Sequence, residues 1–319
     1  MHRPAAVLAA LLALAAAPAP AQDAPPLEWT ASARGAAERG PEELQLSVSY
    51  RTRGGGSGMT SRPVALRELQ GLTRAQVELA GSPVRFRLRR EAGSFDCEGW
   101  FRSGRGSGHC DFAPDGGFAA QLDRRGAGRP TGWQQFSLAL HDVGLAYLDE
   151  LASQRYARPT VAELVRAGEH GAGLEFLRGM GAAGYRVGTL PELVRMRDHG
   201  VTPRFVRELD EAGIRGLSAP ELVRLRDHGV SPAFVREMAE LGYRGLPAGE
   251  LVRLRDHGVG ARFVREMREL GYDRLDTREL VRLRDHGVTA DWVRRANARA
   301  GTRQSVGELV KLRIHGARR

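Results

Sequence analysis

Seven of the nine histidines in this 319-residue chain stand 29 residues apart, at His141, His170, His199, His228, His257, His286 and His315. A period of this length marks a chain built from stacked copies of one small unit, none of which can bury its apolar side alone. Other positions keep the same step. Tyr147, Phe176, Phe205, Phe234, Phe263 and Trp292 share one register, extended backwards by Phe118. Tyr156, Tyr185, Ile214, Tyr243 and Tyr272 share another.

The unit that begins at Ser218 reads SAPELVRLRDHGVSPAFVREMAELGYRGL and predicts two short helices. The first opens on a hydroxyl or acid with Glu or Gln three residues later: Thr131/Gln134, Thr160/Glu163, Thr189/Glu192, Ser218/Glu221, Asp276/Glu279 and Ser305/Glu308. In such a capping box the first side chain takes the N3 amide, and the Glu or Gln reaches back to the cap amide. One unit has Pro247 before Glu250 instead, so its first turn is expected to fray. The first helix stops at Gly200, Gly229, Gly258 or Gly287, where a left-handed residue is needed. The second starts at Thr202-Pro203 or Ser231-Pro232, with proline where a missing N–H costs nothing, and ends at Gly213, Gly242 or Gly271. Leu222, Val223 and Leu225 form the apolar face of one helix, and Phe234, Val235 and Met238 that of the other. Six paired units run from Thr131 to about Arg318, and a further helix is expected near residues 114–125.

The chain before residue 114 lacks this period. Residues 22–43 are rich in Ala, Pro and Gly and read as a linker. Leu44, Leu46, Val48 and Tyr50 alternate as in a half-buried strand, as do Val84, Phe86 and Leu88. Gly54 to Gly58 reads as a flexible loop, and residues 66–79 fit either short helices or a loop. Phe95–Phe101 and His109–Phe112 suggest a hairpin around a turn at Arg102–Arg105. Its register places Cys97 opposite Cys110, so a cross-strand disulfide is one outcome and two free thiols the other. These three or four strands make a small sheet, expected to pack on the first helices of the array.

The first residues have the form of an export signal. His2 and Arg3 precede an Ala/Leu run from Ala5 to Ala17, and Ala19-Pro20-Ala21 supplies the small residues of a cleavage site after Ala21. The run is short for ~30 Å of hydrocarbon. A periplasmic or secreted chain is expected, with no transmembrane span after cleavage.

The net charge is +10, and all but one of the 48 basic residues are Arg, Lys311 being the exception. Residues 131–285 hold 23 Arg and 23 Asp plus Glu, whereas residues 286–319 hold eight basic and two acidic residues. Basicity concentrated at one tip, with the remaining +4 spread over residues 1–130, is not the contiguous footprint that nucleic acid requires. It does make Arg294, Arg295, Arg299, Arg303, Lys311, Arg313, Arg318 and Arg319 candidate anion contacts.

The motif ELVRLRDHGV-x-x-x-FVREM-x-x-LGY, and the segment FRLRREAGSFDCEGWFRSGRGSGHCDF before the repeats, resemble parts of certain bacterial envelope proteins. They look like the extracytoplasmic C-terminal regions attached to some sensor-type membrane metallopeptidases related to the beta-lactam receptor family. The resemblance covers roughly residues 44–319 and implies location and architecture. It carries no catalysis, because the chain has neither His-Glu-x-x-His nor Ser-x-x-Lys, Lys311 having Glu308 three residues before it.

Each ladder histidine is expected in the last turn of a short helix, beside Asp198, Asp227, Asp256 or Asp285, where it suits the negative end of the dipole and can bond terminal carbonyls. Equivalent histidines one repeat apart are too far from each other to share a metal. Three arginine rows, from Arg195 to Arg282, Arg197 to Arg284 and Arg207 to Arg294, are expected to pair with acids across units. His109 reads as structural. The expected fold is α+β and mainly α: a small N-terminal antiparallel β region, then an α-solenoid of 29-residue helix-turn-helix repeats. The boundaries are a signal peptide at 1–21, a linker at 22–43, a β-rich domain at 44–113 and the array at 114–319. The expected function is a non-enzymatic scaffold or sensor-like module of the bacterial envelope that binds protein or peptide, without metal or cofactor. The alternative is a binder of anionic polymer or lipid through the Arg-rich tip.

Overall fold

The computed structural model describes residues 27–33, 42–51 and 56–316. The expected signal peptide, most of the expected linker and Arg318 and Arg319 lie outside them. The fold is α+β, about 50% helical, with 15 α-helices among the described residues after an antiparallel strand region. The chain divides into two compact units, residues 1–121 with 129–140, and residues 122–128 with 141–319.

The first unit contains a seven-stranded antiparallel sheet: β1 Leu27–Ser32, β2 Glu43–Arg51, β3 Ser57–Ala65, β4 Leu69–Gln70, β5 Ala80–Arg90, β6 Gly93–Arg102 and β7 Arg105–Pro114. Their order is β3-β2-β1-β7-β6-β5-β4. The expected sheet of three or four strands was too small, and two segments account for most of the difference. Residues 27–32, expected to be linker, form the central strand, hydrogen-bonded to β2 on one side and β7 on the other. Leu27, Trp29 and Ala31 alternate inward, but over six residues the signal is lost among flanking Ala and Pro. Residues 57–58, expected to end a loop, begin β3, whose small polar side chains lack an apolar alternation.

Only Leu66–Glu68, a turn of 3₁₀ helix, separates β3 at one edge of the sheet from β4 at the other. Four chain steps span at most about 14 Å, so the sheet curls until its edges lie close together. Trp29 is fully buried on the concave side, edge-on to Phe86 at 5.0 Å, and donates its indole N–H to the Glu98 carbonyl. Gly99 and Gly108 face each other beneath it; a Cβ on Gly108 would sit 2.0 Å from the Glu98 oxygen and 2.7 Å from the indole nitrogen. Cys97 and Cys110 pair in the hairpin register and are joined by a disulfide.

Helix α1, Arg74–Glu78, packs on β5 and β6, and α2 is Gly116–Arg124. Helix α3, Gly132–Leu140, belongs to the sheet unit, although its sequence follows the repeat pattern. Phe136 is buried at the contact, with Tyr50 at 5.2 Å, Phe112 at 5.6 Å and Phe95 at 6.0 Å. Buried Gln135 donates to the carbonyls of Ala92 and Asp115. A cavity among Leu46, Val64, Leu88, Phe95 and Leu140 measures only ≈ 20 Å³, about one water's worth.

The second unit consists of two interleaved series of helices. One is α4 Leu145–Ser153, α6 Leu174–Ala182, α8 Pro203–Glu211, α10 Pro232–Glu240, α12 Ala261–Glu269 and α14 Ala290–Ala300. The other is α5 Val161–Glu169, α7 Leu190–Asp198, α9 Ala219–Asp227, α11 Ala248–Asp256, α13 Thr277–Asp285 and α15 Val306–Gly316. Starts within each series are 29 residues apart, and successive members of a series pack on each other. Leu164, Leu193, Leu222, Leu251, Leu280 and Leu309 occupy one buried register, and Met180, Leu209, Met238 and Met267 another.

The helix ends follow local chemistry. Thr160, Ser218 and Asp276 form complete capping boxes, and Thr202 and Ser231 cap α8 and α10 ahead of Pro203 and Pro232. Thr189 departs from expectation: it makes no side-chain cap bond. Pro247 has none to make. The residue after each C-cap histidine is a left-handed glycine, as at Gly200 with φ +70°. Among the described residues, no helix is long and apolar enough to cross a membrane.

Candidate functional site

The repeated tetrapeptide Arg-Asp-His-Gly carries most of the polar chemistry of the second unit. The histidine is the C-cap residue, its backbone N–H bonded to the carbonyl four residues back. A side chain at this point leaves the helix end and reaches the next unit. His170, His199, His228 and His257 meet Asp198, Asp227, Asp256 and Asp285 through Nδ1, at 2.7, 2.7, 2.6 and 2.5 Å. The partner is therefore the aspartate 28 residues on, not the adjacent one. Among the described residues, no three His, Cys, Asp or Glu side chains gather as a metal-ligand set.

The arginine of the same tetrapeptide also reaches back one unit. Arg226, Arg255 and Arg284 donate Nε to the carbonyls of Gly200, Gly229 and Gly258 at 2.9, 3.1 and 2.9 Å. Each guanidinium lies over an aromatic ring of that preceding unit: Arg226 over Phe205 at 5.0 Å, Arg255 over Phe234 and Arg284 over Phe263 at 5.2 Å. Such cation–π contacts add about 0.5–1 kcal/mol at exposed sites. The tetrapeptide is thus a self-complementary clasp. Its Arg-Asp half grips the His-Gly half of the unit before. The register explains how the ladder ends on one side: Ile314 replaces aspartate one step after His286. His315 lies exposed in the last turn of α15.

This corrects the expectation for the arginine rows. The row of Arg197, Arg226, Arg255 and Arg284 stacks on rings instead of pairing with acids. The third row does pair across units where Arg265 meets Glu237 at 3.6 Å, as Arg178 on the same register meets Glu150 at 2.9 Å. The first row has no such partner. Arg195, Arg224 and Arg282 are exposed, and no carboxylate pairs with them among the described residues. Capping boxes occupy Glu221 and Glu279, and the histidines occupy the aspartates.

Tyrosines add a third inter-unit link. Tyr147, Tyr243 and Tyr272 donate their hydroxyls to the carbonyls of Ala172, Leu275 and Gln304 at 2.5, 2.6 and 2.7 Å. Burial raises the phenol pKa of Tyr147, Tyr156, Tyr185 and Tyr243, because a buried phenolate lacks hydration. In the sheet unit, His109 pairs with Glu98 at 3.0 Å on the exposed face.

The basic tip is not one uniform patch. Arg294 pairs with Asp291 at 2.5 Å and Lys311 with Glu308 at 2.9 Å. Arg303 donates to the Gly271 carbonyl and lies over Tyr272. Arg313 lies over Trp292 at 5.8 Å. Arg295, Arg299 and Arg313 line a groove of ≈ 500 Å³ with Trp292, Ala296, Ala300 and Leu312. Sequence reasoning placed cations at this end, but the groove depends on how α14 and α15 pack. Compared with protein-family models and with curated proteins, the chain matches none.

Proposed function

We propose that this chain is an exported, non-enzymatic helical-repeat protein serving as a protein- or peptide-binding scaffold in the bacterial envelope. The helix pairs are read as an α-solenoid of 29-residue repeats, a form that offers long exposed surfaces made from one repeated pattern. One observation carries the reading: the recurrent His, Asp, Arg and Tyr side chains are spent holding each unit to its neighbour. They act as fasteners, while the exposed Arg195, Arg224 and Arg282 recur at multiples of the 29-residue period. The motif resemblance and the signal-like first residues support an envelope location for a mature chain starting after Ala21.

The reading is tested by cross-linking the full chain in intact envelopes and mapping the linked residues by mass spectrometry. A scaffold gives links from exposed array positions to defined proteins, retained at high salt. The second reading, an anionic polymer or lipid held by the tip, draws on Arg295 and Arg299, which pair with no carboxylate among the described residues. It requires binding that falls steeply with ionic strength. Retention at high salt and loss at high salt separate the two readings.

A further inference from the structure

The last pair of helices breaks the burial pattern that the earlier pairs keep. Leu312 is 44% exposed, whereas its register equivalents Met196, Leu225, Leu254 and Leu283 are 0% exposed. Trp292 is half-buried where Phe205, Phe234 and Phe263 are buried. Ala296 stands where Leu209, Met238 and Met267 fill the core. The ≈ 500 Å³ groove is therefore made of core-register positions with smaller or uncovered side chains. Helices α7, α9 and α11 of the odd series are each followed by an even-series helix that brings a Phe-Val-x-x-Met/Leu face. Among the described residues, no helix follows α15.

Charge narrows the occupant. Asp291 and Glu308 are the only acids in residues 286–319, and both are paired, with Arg294 and Lys311. Arg295, Arg299 and Arg313 surround an apolar floor, and among the described residues no carboxylate pairs with them. An array helix such as α12, with three arginines of its own, would be repelled there.

We propose that the groove between α14 and α15 is the seat for an acidic amphipathic helix of a partner protein. Its apolar face would cover Trp292, Ala296 and Leu312, and its carboxylates would meet Arg295, Arg299 and Arg313. This is helix-in-groove recognition with bidentate guanidinium–carboxylate contacts at the rim. The proposal rests on the scaffold reading and adds a site and a partner chemistry to it.

The test uses the full chain and a labelled synthetic peptide of residues 261–272 carrying R262E, R265E and R268E. Fluorescence anisotropy should show saturable binding, weakened at least about tenfold by R295E/R299E. The peptide with its native arginines should bind more weakly. Both substituted arginines are exposed, and an unchanged thermal melt would show the variant folded. Equal affinity for the variant, or for the native-arginine peptide, would overturn the proposal. So would failure of the acidic peptide to bind while phosphatidylglycerol vesicles do, which would identify the groove as a lipid site. If envelope cross-links map elsewhere on the array and the peptide does not bind, only this inference fails. If the peptide binds but no protein is cross-linked, the scaffold reading fails instead.

Discussion

The two units of this chain are held together by opposite means. In the sheet unit, contacts join residues far apart in the chain: Phe136 meets Tyr50, and β1 pairs with β7. In the helical unit nearly every recurrent side chain finds its partner about one repeat away, as Arg226 does at Gly200. A nonlocal core is lost or kept as a whole. A chain of neighbour contacts loses stability one interface at a time, and terminal interfaces weigh less than central ones.

The largest effect that sharpens this contrast is expected from Phe136→Ala. It removes a buried ring at the centre of an aromatic cluster, at a cost of about 3–5 kcal/mol. Chemical denaturation followed by near-ultraviolet dichroism should lose the sheet-unit transition early and leave the helical one in place. Simultaneous melting of both would mean that the units are one cooperative body.

Next is Cys97→Ala with Cys110→Ala, expected to cost about 2–4 kcal/mol by releasing a short loop in the unfolded chain. Reduction should have a similar effect on the wild type, again confined to the sheet unit.

Alkali should act on the other unit. The four raised tyrosines are neutral in the fold. A group with a raised native pKa contributes stability that is complete below its unfolded pKa, about 10 for tyrosine, and is lost as pH rises through its native value. Melts above that pH should lower the helical transition first. Tyr243→Phe should reduce the slope, since it removes one titrating hydroxyl along with one bond to Leu275.

A smaller effect is expected at the clasp. Arg226→Ala should cost about 1 kcal/mol, because the ring contact is partly exposed and its charge is screened. A double-mutant cycle with Phe205→Ala isolates the pair, and a coupling energy of zero would remove the stack from the list of fasteners. The smallest pair of effects separates two caps that look alike in sequence. Ser218→Ala should cost about 1 kcal/mol, whereas Thr189→Ala should cost only a few tenths, because Thr189 makes no side-chain cap bond.

How much was legible beforehand depended on the range of the signal. The start of α9 at Ala219, the left-handed glycine after His228 and the β6–β7 register through Cys97 and Cys110 are set by residues within a turn or a hairpin. Each could be read from a short window. Strand β1 could not: its six residues alternate properly, but only β2 and β7 on either side make them the centre of a sheet. The groove at Leu312 escaped for a similar reason, since the leucine matches its buried equivalents and differs only in what lies over it.

The arginine rows show the same limit. All three look alike as a list of positions, and each has acids nearby in sequence. Stacking sends one row onto the rings of the preceding unit, sends Arg265 of another to Glu237, and leaves Arg195, Arg224 and Arg282 of the first without a carboxylate among the described residues.

By itself, the sequence determined the period, the helix ends and the class of residue that caps each one. These depend on the backbone hydrogen-bonding needs of a few consecutive residues. Only the tertiary structure decided that His199 bonds Asp227 instead of its neighbour Asp198. A side chain at a helix terminus points away from its own helix. Its partner is therefore whatever the packing of the next unit brings within about 3 Å.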